Sequence, residues 1–170
     1  STAGDITTTA DNIYFTTAVT LTGAVALSMG AGTGAAITFN NTLDGTADFT
    51  QTLGLTAAAG NIDFDGIVGG TTDLGIVTIV SAANVTADAA FNAQAINQTA
   101  GTGTTTFSGA VTTKGTLATD GLDLNGTAFT INSTVNTGAA GAVTITNSGL
   151  LTIGANGDMT LGGAFMQDGA

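Results

Sequence analysis

Short stretches of strict alternation recur along the chain. Ile37-Thr38-Phe39, Ile62-Asp63-Phe64, Val77-Thr78-Ile79, Phe129-Thr130-Ile131 and Val143-Thr144-Ile145 each carry an apolar side chain at every second position. A strand sends successive side chains to opposite faces, so these stretches predict short strands with one face buried. No segment holds an apolar stripe at helical spacing, and Thr and Gly are poor helix formers. Glu is absent and Lys114 is the only basic residue, which removes the usual helix surface residues.

The alternating stretches belong to a degenerate repeat: an apolar residue, two small or polar residues, one variable residue, then an aliphatic. It occurs at Phe15–Val19, Phe39–Leu43, Phe64–Val68, Phe107–Val111 and Ile131–Val135. The interval from Phe64 to Phe107 is close to two periods, and Phe91–Ile96 fills it imperfectly, with one extra residue. Each copy leads into Gly, Asn, Asp or Thr turn chemistry and a second alternating strand, as at Leu21–Met29, Phe49–Leu55 and Leu117–Leu124. This spacing predicts about seven coils of roughly 19–26 residues, starting near residues 10, 35, 61, 85, 104, 128 and 151.

One such coil cannot close a core alone. Stacking solves this, because each strand pairs in parallel with its equivalent in the next coil. At about 4.8 Å per coil, seven coils make a rod roughly 34 Å long. Phe39, Phe64 and Phe107 should lie on one interior line. The predicted fold is therefore all-β, a parallel β-solenoid forming one repeat domain over residues 1–170, a segment or subunit of a larger assembly. The alternative is an antiparallel β-sandwich, which would not repeat one motif every ~24 residues.

Composition narrows the function. All twelve acidic residues are Asp, there is no His, and the net charge is −11. Phosphate binding needs clustered Lys and Arg, so nucleic acid is excluded as a partner and an anionic membrane surface is disfavoured. No apolar run reaches membrane-spanning length, so no membrane insertion is expected. The absence of Cys removes disulfides and thiolate metal sites. The absence of Pro suits a chain whose backbone N–H groups join ladders. Ser1 is not a start methionine and no signal peptide is visible, so the expectation is a processed product or excised piece.

The stretches Ala36–Leu43, Ile62–Leu74 and Thr104–Val111 resemble the repeats of filamentous-haemagglutinin-like and autotransporter-like surface proteins of bacteria. The resemblance extends over about residues 10–165. It implies a right-handed parallel β-helix, secretion, and a role in adhesion or as a filament. It carries no catalytic residues.

Candidate chemistry is sparse. Without His or Cys the usual general base and thiol nucleophile are missing, and no enzymatic activity or cofactor is expected. Asp63 and Asp65 flank Phe64 and should share one face, as an acid–base pair, a cation site or a solvated exterior pair. Calcium is the ion best suited to Asp, Asn and carbonyl oxygens. Asn156 and Asp158, within Gly154–Leu161, match the calcium-binding nonapeptide pattern once, where tandem copies are required. Asp44 with Asp48, and Asp120 with Asp123, are similar weak candidates. The sequons at Asn40, Asn84, Asn97, Asn125 and Asn132 read as corner residues. Thr7–Thr9 and Thr104–Thr106 raise an ice-binding face, but the Thr positions read as out of register between coils.

The expected role is an extracellular or cell-surface structural segment of a filament, stalk or adhesin. It would associate end to end with copies or neighbouring repeats through residues 1–15 and 150–170. The alternative is a binding module for a cell-surface glycan or protein.

Overall fold

The computed structural model describes residues 1–30 and 34–169, so Ala170, within the expected contact segment 150–170, lies outside it. The described residues are all-β, without helix, and their sheets are parallel, stacked as a β-solenoid of about seven turns. Most turns contribute three strand segments; in the fourth, Phe91–Gln98 runs through the second and third as one strand.

The first face stacks Ile13–Phe15, Ala36–Phe39, Asn61–Phe64, Val85–Ala87, Thr104–Phe107, Ala128–Ile131 and Leu151–Ile153. These begin close to the expected coil starts. The second face aligns Val19, Leu43, Val68, Phe91, Val111, Val135 and Met159 in parallel register. The third runs through Ile6–Thr7, Val25–Ser28, Leu53–Thr56, Leu74–Ser81, Phe91–Gln98, Leu122–Gly126, Val143–Asn147 and Phe165–Gly169.

Alternation fixes what each face buries. In Ile62-Asp63-Phe64 the outer two residues are buried and Asp63 points outward. Phe39, Phe64 and Phe107 are all buried and share one column, Phe15, Phe39, Phe64, Ala87, Phe107, Ile131 and Ile153. Phe15 stacks on Phe39 at 5.0 Å between ring centroids, and Phe39 on Phe64 at 5.3 Å with planes 2° apart.

The fourth turn departs from the sequence expectation. The copy between Phe64 and Phe107 begins at Ala87, and Phe91 occupies the second-face column between Val68 and Val111. The large side chain has moved one column along. It still fills the space beside Phe64, meeting its ring edge-on at 5.1 Å. Bulk lost from one column is partly replaced from the adjoining one, the kind of exchange that close-packed interiors tolerate.

Another expectation is corrected. The second alternating strands begin later than their apolar residues suggest, at Leu53 and Leu122. Phe49 and Leu117 belong to exposed loops; Phe49 has a left-handed φ of 59°, which no strand accommodates. Tyr14 alternates outward between Ile13 and Phe15 and is exposed.

One polar pair crosses the core. The Thr105 hydroxyl donates to Gln98 Oε1 at 2.7 Å, and Gln98 Nε2 donates to the Asn125 carbonyl at 3.3 Å. Both residues are buried but partnered, which avoids the cost of an unmade hydrogen bond. Thr113 Oγ1 is the buried side-chain atom left without a partner among the described residues.

Candidate functional site

Several polar side chains at the corners join one turn to the next. Asn12 Oδ1 accepts from the Ala36 amide at 2.8 Å, and Asn84 Oδ1 from the Thr104 amide at 2.9 Å. Asn84 Nδ2 donates to Asn61 Oδ1 at 3.1 Å, a short amide ladder. Asp5, Asp44 and Asp48 accept from the amides of Ala26, Thr71 and Asp73 one turn further on. Asp44 and Asp48, considered as calcium ligands, therefore serve as turn-to-turn acceptors. This use escaped the sequence because it depends on register between turns.

Lys114 Nζ reaches Asp73 Oδ2 at 2.8 Å, spanning two turns. It can do so because the fourth turn carries no corner loop there; Phe91–Gln98 passes straight through. Asp73 is largely buried while Lys114 is half exposed. Asp120 is buried and holds the loop after Lys114: Oδ2 accepts the Leu117 amide at 2.9 Å and Oδ1 accepts Gln94 Nε2 at 3.2 Å.

Asp63 and Asp65 lie on the outer side of the first face, as expected, and Asp88 of the following turn lies close by. Burial raises the Asp63 carboxyl above the usual carboxylate range, and repulsion from Asp65 and Asp88 adds to the rise. A hydrogen bond from Thr86 opposes it. A raised folded-state pKa means that this group's stabilising contribution is full below the unfolded-state value and is lost as pH rises through the folded one. Asp63→Asn should therefore raise the melting temperature at neutral pH by about 1–2 °C, the scale of a half-exposed substitution. The gain over the native protein should vanish on acidification below the carboxylate range. A gain that persists undiminished in acid, measured by thermal unfolding across pH, would contradict this.

Asn156 and Asp158 are exposed in a turn closed by the Gly157 amide on the Gly154 carbonyl at 3.0 Å. No group of three or more acidic side chains among the described residues is arranged to hold a metal ion. Asp63, Asp65, Asn156 and Asp158 are thus not gathered into one site: the first pair lies on the third turn and the second on the seventh.

The Thr residues do keep a register. Thr38, Thr86, Thr106, Thr130 and Thr152 align on the outer side of the first face, with Asp63 between Thr38 and Thr86 and Tyr14 at the end. The unequal coil lengths hid this alignment. The file is one residue wide, flanked by the mixed positions Asn61, Asn84, Thr104, Ala128 and Leu150.

Among the sequons, Asn97 and Asn125 are strand residues facing outward rather than corners. Asn97 lines a concavity. The loop between Lys114 and Gly121 overhangs the outer side of the third face and encloses a groove of about 280 Å³. Asn97, Asp123 and Thr144 align across three adjacent strands on its floor, and Ala118, Thr119 and Ala142 wall it. Asp120 and Asp123, paired in the sequence reading, are separated in role: one is the loop's internal clamp and the other faces the groove.

No family model, curated protein or solved structure matches the chain.

Proposed function

We propose that the chain is a structural segment of an extracellular β-solenoid, part of a surface filament, stalk or adhesin. The observation that carries this reading is the set of interior columns that runs in register through the turns, a pattern that any further coil of the same kind can extend. Ile153 and Phe165 continue columns that are buried in the preceding turns, yet both are 45% exposed in the last described turn. A further coil stacked there, from the same chain or from another, would cover them and pair the open strand edges. The polar side chains support the same reading, since so many of them clamp turn to turn. Placement outside the cell rests on the resemblance of the repeats to bacterial surface proteins. Negative-stain images of the native source should show thin rods or fibres that antibodies to this chain decorate along their length. Decoration of compact particles alone would refute the reading.

A further inference from the structure

We infer that the groove beneath the Lys114–Gly121 loop binds a neutral, hydroxyl-rich ligand, a single sugar ring being the class that fits. This goes beyond the structural role and does not depend on it. The volume of about 280 Å³ lies just under the ~300 Å³ at which pockets for drug-sized ligands begin, so it suits one ring.

The floor is preorganised. Asn97, Asp123 and Thr144 sit on strands locked by parallel pairing, at the ~4.8 Å spacing of neighbouring strands. Together they offer an amide that donates and accepts, a carboxylate that accepts, and a hydroxyl that does both. None of the three side chains makes a hydrogen bond within the described residues, whereas Asp120 in the same loop is fully engaged. The loop that forms the wall is itself tied down, through Asp120 to Gln94 and through Lys114 to Asp73.

The chemistry selects among ligands. Asp123 on the floor, no cation in the lining and a net charge of −11 repel phosphates, sulfates and carboxylates. A purely apolar ligand would desolvate Asn97 and Asp123 without pairing them, which is costly. A metal ion would find one carboxylate where it needs several oxygen ligands. A polyol satisfies all three floor residues, and its C–H surface can lie against Ala118 and Ala142.

Saturation-transfer NMR on the chain tests this, using the methyl glycosides of glucose, galactose, mannose and N-acetylglucosamine, with glucuronate as the anionic counterpart. At least one neutral glycoside should saturate in the millimolar range and glucuronate should not. Ala118→Trp, which fills the groove, and Asp123→Ala, which removes an exposed carboxylate, should each weaken binding at least tenfold without changing the melting temperature. If one variant fails to fold, the other, with Asn97→Ala beside it, carries the comparison. Absence of saturation by every neutral glycoside, equal binding of glucuronate, or undiminished binding in the folded variants would overturn the assignment.

Discussion

Phe64→Ala should cost about 3–5 kcal/mol, the range for truncating a buried phenylalanine. Phe64 is 1% exposed and has aromatic neighbours on both sides, Phe39 stacked at 5.3 Å and Phe91 edge-on at 5.1 Å. Two features push the cost to the upper end. The next residue in its column is Ala87, whose methyl group is too short to reach into the space. Strand pairing on both sides also keeps the adjacent turns from closing in. Chemical denaturation should show the loss, and Phe64→Leu should recover much of it. Phe15→Ala, at the partly covered end of the same column, should cost less. A loss below about 1 kcal/mol at Phe64 would mean that the column is not the core of the molecule.

Gly69→Ala should be destabilising by about 2–4 kcal/mol for a different reason, combining left-handed strain of ~1–2 kcal/mol with a backbone clash. Gly69 has φ of 64°, a region that side-chain-bearing residues rarely adopt. A Cβ there would meet the Asn92 carbonyl oxygen at 2.2 Å. That oxygen belongs to the next turn and cannot easily withdraw, because the Asn92 amide donates to the Val68 carbonyl at 2.9 Å and Nδ2 donates to the Gly69 carbonyl at 3.0 Å. Gly54→Ala provides the control: it lies in a strand, and a Cβ there meets nothing nearer than 3.8 Å. Thermal unfolding should show little change for Gly54→Ala and a clear loss for Gly69→Ala. Equal effects would remove the close approach between turns three and four as the cause.

The contrast between Phe64 and Phe49 shows how much of the architecture the residue pattern carries. Around Phe64 the alternation, the following Asp-Gly and the ~24-residue spacing agree, and strand, coil and column could all be read from them. Phe49 is equally apolar, yet its neighbours Asp48 and Gln51 bind loop or next-turn amides and draw the segment out of the strand. A one-dimensional pattern does not reveal which polar residue will meet which amide one turn away. The shift of bulk from residue 87 to residue 91 was hidden for the same reason: either of two adjoining columns can carry the large side chain, whereas the repeat motif describes only one. The groove was the least legible feature, since Asn97, Asp123 and Thr144 come from three different turns and a loop residue closes over them. The sequence offers Asp123 only beside Asp120, whose carboxylate clamps the loop and does not face the groove.

The strands run across the rod, so the hydrogen bonds between turns point along it. Tension applied to the two chain termini would therefore meet these bonds a few at a time, as in opening a zipper, and not as a block sheared together. A coil of about 24 residues that comes free adds roughly 80 Å of extended chain while shortening the rod by only ~4.8 Å. Lys114 interrupts this sequence, because its ion pair with Asp73 bridges the turn between them and ties three coils into one unit. Mechanically the molecule is a ratcheted reel: coils at either end release singly and at low force, and the reel catches at the third to fifth turns, where extension must break a side-chain link as well as the backbone ladder.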